Sequence, residues 1–147
     1  MYDSASLKYT EIEIGKVFTF QRAITQKDVC TFVALTGDRN PLHIDEEFGR
    51  NSQFGANIVH GMLVGSLFST LVGMHCPGDK SLYMSQTLQF KLPLFVGDTV
   101  TVKGTVTQKH DAIRLVTMKT EICRGSEVIV TGEAKIRMIG CAENNFV

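Results

Sequence analysis

Hydrophobic and polar residues alternate with a period of two along much of the chain, which is the pattern of β-strands with one buried face. The alternation from Val17 to Ile24 predicts a first strand, and four similar stretches follow in the second half of the chain. We predict that the first of these four buries one apolar side, formed by Leu82, Met84, Leu88, Phe90 and Leu92. A sheet built mainly from the C-terminal half is therefore expected.

Two helices are predicted between the first strand and the others. Thr25 followed by Asp28 has the spacing of a helix N-cap, and Gly37 occupies the position where a left-handed C-cap would end that helix. The stretch from Asn57 to Met74 is apolar on nearly every face and would form a helix about 27 Å long. Every fourth position in it is small: Gly61, Gly65, Ser69 and Gly73.

The long apolar helix needs a covering layer, and the predicted strands can supply it. We therefore expect an α+β fold in which an antiparallel sheet covers this helix. Close packing against another segment is the expected reason for Gly65 and Gly73, because glycine costs helix stability. No internal repeat or linker is visible, so residues 1–147 are predicted to form one domain with a core at about residues 17–139.

Composition and charge exclude several functional classes. The 15 basic and 15 acidic residues cancel, which argues against a non-specific nucleic-acid binder and against a membrane-surface protein. The uncharged stretch from Asn51 to Pro77 is interrupted by polar residues and glycines, which favours a buried helix over a membrane span. The four cysteines show no CxxC pair, so reduced thiols in the cytoplasm or mitochondrial matrix are expected.

The candidate chemistry lies on the loop that follows the first predicted helix. Asp38 and His43 are five residues apart, and Pro41 restricts the backbone between them and pushes Asn40 toward extended geometry. A carboxylate and an imidazole on a rigid loop are typical of acid/base chemistry. The same residues would also suit a purely structural Asx turn, in which Asp38 and Asn40 cap local amides.

Metal sites are not predicted by the spacing of the possible ligands. A calcium loop of the EF-hand type needs an oxygen ligand and a glycine where this loop has Leu42 and His43. The histidines at positions 43, 60, 75 and 110 show no paired zinc spacing. His60 precedes Gly61 at the predicted helix start, and either a structural or a chemical role suits it.

The motifs of this region resemble a known family. The signature joins residues Thr36-Gly37-Asp38-Arg39-Asn40-Pro41-Leu42-His43-Ile44-Asp45 to Ile58-Val59-His60-Gly61-Met62-Leu63. It resembles the MaoC-like (R)-specific enoyl-CoA hydratases and the 3-hydroxyacyl-thioester dehydratases, over about Phe18 to Met138. The resemblance implies a hot-dog fold, a homodimer whose sheets join edge to edge, and reversible hydration of trans-2-enoyl thioesters carried by CoA or acyl-carrier protein. It implies a hydro-lyase with no metal or redox cofactor.

The resemblance also implies a role for particular residues. Asp38 and His43 would be the catalytic dyad, Asn40 would help to hold the site, and the Gly61 amide would stabilise the thioester oxygen. Ser69 matches a serine near the acid in the family, although a helix serine can equally bond a backbone carbonyl. A thioesterase on the same fold and a non-catalytic acyl-thioester binding module remain the alternative functions.

Overall fold

The computed structural model describes residues 3–140, whose alternating segments form a six-stranded antiparallel sheet. The order across the sheet is β1-β4-β5-β6-β2, and the short β3 also pairs with β6. Hydrophobic side chains from the sheet and from the central helix form one buried core. The strands are β1 (Val17–Ala23), β2 (Ser81–Gln86), β3 (Gln89–Phe90), β4 (Thr99–His110), β5 (Leu115–Arg124) and β6 (Glu127–Met138).

Four α-helices lie between β1 and β2. They are α1 (Gln26–Thr36), α2 (Pro41–Ile44), α3 (Glu46–Asn51) and α4 (Gly61–Thr70). A π-helical turn (Leu71–His75) continues α4, and 3₁₀ turns occupy Tyr9–Glu11 and Asp111–Ile113. No helix within residues 3–140 is both long enough and apolar enough to cross a membrane.

The predicted ends of α1 are confirmed. The Thr25 hydroxyl accepts a hydrogen bond from the Asp28 amide, and the Asp28 carboxylate accepts one from the Thr25 amide. This reciprocal pair satisfies two amides that the first helical turn leaves without partners. Gly37 ends the helix with a φ of 78°, in the left-handed region that glycine tolerates best. The chain is thereby turned sharply into the loop that carries Asp38.

The predicted start of the long helix was wrong by four residues. The Asn57 side-chain amide donates hydrogen bonds to the carbonyls of Leu42 and Asp45, at 2.9 and 2.8 Å. The Val59 amide donates to the Leu94 carbonyl at 2.7 Å, so residues 57–60 are extended and bonded to other segments. Tertiary hydrogen bonds therefore delay the helix until Gly61.

Two small residues of α4, Gly61 and Gly65, face side chains from β3 and from the residue just before it. A Cβ atom at Gly65 would lie 3.0 Å from Leu88, and one at Gly61 would lie 3.1 Å from the Phe90 ring. The close packing predicted for Gly65 is confirmed. The same prediction for Gly73 was wrong, because no atom of the described chain outside its own helical turns lies within 4 Å of a Cβ built there.

The predicted buried side of the segment from Leu82 to Leu92 was confirmed only for Leu88, which packs against the core, and was wrong for the other four residues. Leu82 and Met84 are 47% and 54% exposed, and Phe90 is half exposed, whereas Tyr83 packs against the core. Alternation shows that the two faces of a strand differ, but not which face the chain itself covers. The result is an exposed apolar row on β2, the strand at one edge of the sheet.

Candidate active site

The loop between α1 and α2 holds the Asp38 carboxylate in a defined position. The Asn40 amide donates a hydrogen bond to Asp38 Oδ1 at 3.2 Å, and Asn40 Oδ1 in turn accepts one from the Leu42 amide at 3.0 Å. Asn40 is thus the N-cap of α2, and Pro41 occupies its first position. The local bonds of an Asx turn are present, and they orient a carboxylate whose side chain remains 51% exposed.

Among residues 3–140, His43 is fixed by a hydrogen bond from only one of its ring nitrogens. Its Nδ1 lies 2.7 Å from the carbonyl oxygen of Ile58. A carbonyl oxygen can only accept, so Nδ1 carries the proton and donates it to this bond. In the neutral ring, Nε2 therefore keeps its lone pair and is available as a base. The extended segment before α4, which supplies the Ile58 carbonyl, thus sets the tautomer of His43.

His60 completes a group of three side chains whose association the sequence spacing did not predict. Its ring is 2% exposed and lies against the ring of His43, with 3.8 Å between the ring centroids. Its Nε2 lies 3.2 Å from the Asp38 carbonyl oxygen and 3.9 Å from Asp38 Oδ2. Phe32 of α1 covers the same ring, at 5.0 Å between centroids.

The surroundings of His60 disfavour its cationic form. Burial is the largest influence and lowers the pKa of the His60 imidazole below its ordinary value. The bond to the Asp38 carbonyl acts in the opposite direction, nearby His43 lowers the pKa further, and the Asp38 carboxylate raises it. The net shift is downward, so His60 is held as a neutral ring.

One ligand atom each from Asp38, His43 and His60 can be chosen so that the three lie within 4.8 Å of one another. This is a possible set of metal ligands that residue spacing alone did not indicate. Zinc bonds of about 2.0 Å require ligand atoms about 3.3 Å apart, closer than the 3.9 Å between His60 and the Asp38 carboxylate. Binding a metal through His60 Nε2 would also break its bond to the Asp38 carbonyl. The observed distances and the bond of His60 to the Asp38 carbonyl therefore favour the group without a metal.

A cavity of about 360 Å³ opens beside His43. Its wall is mostly apolar and includes Gly61 at the start of α4, while Asp38, Asn40 and Ser69 are not part of the wall. This volume lies within the range of small-molecule sites. The lining residues are His43, Phe54, Ile58, Val59, Gly61, Val64, Phe90, Lys91, Leu92, Pro93, Leu94, Ile129 and Val130.

Gly61 and Ser69 occupy different parts of α4. The Val64 amide donates to the His60 carbonyl, so the Gly61 amide lies ahead of the intrahelical bonds, at the positive end of the helix. Ser69 lies eight residues later, about 12 Å along the helix axis, and is exposed. Within one chain the fold therefore brings Gly61 to the cavity wall beside His43 and leaves Ser69 away from it.

Comparison with known proteins agrees with this architecture. Residues 10–125 match the MaoC like domain. The chain is 41% identical over 128 residues to the (R)-specific enoyl-CoA hydratase of Aeromonas caviae, covering 86% of this chain and 96% of that protein. It is also 41% identical over 100 residues to the mitochondrial 3-hydroxyacyl-[acyl-carrier-protein] dehydratase FERN of Solanum lycopersicum, covering 68% and 59% of the two chains.

Among solved structures, the unliganded R-hydratase of Pseudomonas aeruginosa superposes with a TM-score of 0.88 at 33% identity, covering 94% of this chain and 89% of that one. The hot-dog fold implied by the sequence resemblance is confirmed. The domain match spans most of the chain, and the Aeromonas caviae hydratase is covered almost completely at 41% identity. The chain belongs to the MaoC-like dehydratase family.

Proposed function

We propose that this protein is a hydro-lyase that catalyses the reversible (R)-specific hydration of trans-2-enoyl thioesters, with Asp38 and His43 as its catalytic dyad. The observation that carries the proposal is that Asp38 lies within 4.8 Å of His43, which stands in the wall of an apolar cavity with its Nε2 left free by the bond to the Ile58 carbonyl. The family relatives named for enoyl-CoA hydration and hydroxyacyl dehydration support the same reaction.

The reaction requires that one water molecule be divided between two carbons. The water oxygen attacks C3 of the enoyl group while a proton leaves that water, and C2 gains a proton as the electrons return from the thioester oxygen. The dyad accepts one proton and returns one, so it ends each turnover in its starting state. His43 Nε2 is a suitable acceptor, and the neighbouring Asp38 carboxylate can orient the water. Asn40 contributes by holding Asp38 through its backbone amide.

The thioester oxygen gains negative charge when C3 is attacked. We assign its stabilisation to the Gly61 amide, which lies at the helix start beside the cavity. The mostly apolar cavity wall suits an acyl chain.

Hydration of crotonyl-CoA tests the proposed reaction directly. Loss of the absorbance of the conjugated thioester is followed in one sample, and a free-thiol reagent is present in a parallel sample. The proposal predicts loss of conjugation without thiol release. Thiol release would assign the protein to the thioesterases, and binding of crotonyl-CoA and longer enoyl-CoA thioesters without either signal would favour a non-catalytic binding module.

Gly61→Ala is expected to lower kcat/KM for crotonyl-CoA about 10-fold while the protein remains folded. The added methyl group would lie 3.1 Å from the Phe90 ring, and that half-exposed ring can yield only by moving within the cavity wall. Steady-state kinetics and circular dichroism measure the two effects. Gly73→Ala is the matched control, because a Cβ there meets no atom of the described chain within 4 Å. Equal kinetics for the two variants would contradict a role for Gly61 in the site.

We infer that two chains associate along β2. This strand lies at the edge of the sheet, and its exposed Leu82 and Met84 need a cover that residues 3–140 do not supply. Pairing of two β2 strands would use edge hydrogen-bonding groups and bury this apolar row. Ser69 is also exposed on α4, so any contact between it and the dyad depends on the second chain.

Met84→Lys is expected to convert the dimer to monomer, because it places a charge in the apolar row on β2. Sedimentation velocity distinguishes one 16.3 kDa chain from two. Ile14→Lys, at another exposed apolar position outside the sheet, should leave the dimer intact. A wild-type protein that sediments as a monomer would overturn the inference.

The expected partners are acyl-CoA or acyl-carrier-protein thioesters, and the reaction needs neither nucleic acid nor a membrane. We place the protein in the cytoplasm or mitochondrial matrix, since Cys30, Cys76 and Cys123 are all free thiols. Subcellular fractionation tests this location, and recovery in a secreted fraction would exclude it.

A further inference from the structure

His60 contacts both members of the proposed dyad, although it takes no part in the proton transfers of the proposed reaction. Its Nε2 reaches the Asp38 carbonyl, and its ring lies against the His43 ring with an interplanar angle of 31°. Phe32 covers it from α1. His60 is the N-cap residue of α4, so the helix start itself carries this ring into contact with the loop that bears Asp38 and His43.

The hydrogen bonds of His60 define its tautomer. The Asp38 carbonyl oxygen only accepts, so His60 Nε2 carries the proton and donates it. His60 Nδ1 is buried and has no hydrogen-bond partner among residues 3–140. A second proton at Nδ1 would therefore add a buried cation without an acceptor, and burial already lowers the pKa of this ring. The titratable groups that face it are Asp38 and His43.

A neutral ring at this position has two effects on the dyad. Its donated hydrogen bond ties down the backbone of Asp38, from which the carboxylate projects. Its face restricts rotation of the His43 ring, which is otherwise held by the single bond to Ile58. A cation at the same position would repel the protonated form of His43 that the reaction creates. A ring that stays neutral can orient both groups without that repulsion.

We propose that His60 is a positioning residue of the reaction, whose buried ring holds Asp38 and His43 in their working arrangement. This inference rests on the proposed hydratase function. It assigns to His60 no contact with the substrate, which agrees with the 2% exposure of its ring, against 51% for the Asp38 side chain.

Three substitutions separate the two contacts. His60→Gln keeps an amide N–H that can reach the Asp38 carbonyl but removes the ring, whereas His60→Phe keeps a ring and removes the donor. His60→Leu removes both. We expect kcat for crotonyl-CoA to fall about 10-fold in each of the first two variants and about 100-fold in the third. KM should change less than about threefold, because the lining of the cavity is unchanged.

His75→Gln is the matched control, since His75 also stacks on an aromatic ring, that of Phe20, but lies beyond the far end of α4. It should keep wild-type kcat. If the folded fractions of the three His60 variants also keep wild-type kcat, while only their thermal stability changes, His60 is merely structural and the inference is overturned. A wild type that fails to hydrate any enoyl thioester would instead reject the proposed function.

A second measurement does not depend on turnover. The ¹⁵N chemical shifts of His60 should still report one protonated and one bare ring nitrogen at about pH 6.5, where an ordinary histidine is half protonated. If Nδ1 acquires a proton near pH 6.5, His60 is not a neutral spacer, and the inference fails even in an active enzyme.

Discussion

Asp38→Asn and His43→Gln should each lower kcat for hydration of crotonyl-CoA by about 10²–10⁴-fold, the usual contribution of a positioned acid or base. Asparagine preserves an oxygen that can accept the bond from the Asn40 amide, so the loop should keep its shape while the negative charge disappears. Glutamine at position 43 is near the size of histidine, but an amide cannot take a proton from water at neutral pH. Both losses are therefore losses of chemistry rather than of folding.

The two losses should not add in the double variant. If Asp38 and His43 act on one water molecule, removing either group disables the pair. Removing both should therefore lower kcat little more than the more damaging single substitution does. Initial rates from the absorbance of the conjugated thioester measure this, with circular dichroism to establish folding. Independent, multiplicative effects in the double variant would show that the two residues do not act as a dyad.

Asp45→Asn and His75→Gln are the matched controls for the dyad variants. Asp45 caps α3 by accepting a hydrogen bond from the Phe48 amide, and asparagine is an equally good N-cap. His75 packs on Phe20 beyond the C-terminal end of α4. The controls thus replace one aspartate and one histidine, as the dyad variants do, but at positions outside the dyad. Both should leave kcat within about twofold of wild type. A large loss in either control would mean that activity responds to local stability and not to the dyad.

Gly132→Ala should destabilise the protein by about 3 kcal/mol, which corresponds to a fall in Tm of about 10 °C. A Cβ at this position of β6 would lie 1.9 Å from the carbonyl oxygen of Thr87, inside van der Waals contact. Thr87 cannot retreat easily, because its amide donates to the Glu133 carbonyl and its hydroxyl accepts from the Glu133 amide. The strain must fall on the backbone that links β2 to β3.

Thermal and denaturant unfolding measure this effect, and Gly73→Ala supplies the contrast. Gly73 is helical, has open space around its Cβ position, and lacks the positive φ that would penalise alanine. Alanine there should be neutral or stabilising by about 0.5 kcal/mol, since it reduces the freedom of the unfolded chain. Similar Tm values for the two variants would contradict the assigned packing at Gly132.

Predictions that depend on neighbouring residues succeeded. The capping residues Thr25, Asp28 and Gly37 predicted both ends of α1, because such caps are satisfied within one turn. The loop with Asp38 and His43 was recognised from its motif, and local bonds through Asn40 hold it.

Predictions that depend on distant segments failed or stayed open. The start of α4 was placed at Asn57, but Asn57 and Val59 bond to segments that no local pattern identifies. The exposed face of β2 was predicted to be buried, because alternation does not say whether the cover comes from the same chain. A glycine stripe likewise indicated close approach without naming Leu88 and Phe90 as the neighbours.

The sequence by itself determined the class of fold, the family motif and the two groups of the proposed dyad, because periodicity, caps and a short loop motif are local properties of the chain. Only the tertiary structure decided that His60 lies against His43 and bonds to Asp38, since 22 residues and a change of direction separate His60 from that carbonyl. The tautomer of His43 was decided in the same way, by the carbonyl of Ile58 15 residues later. Contacts of this kind follow from how the α4 start packs against the loop, and no pattern along the chain encodes them.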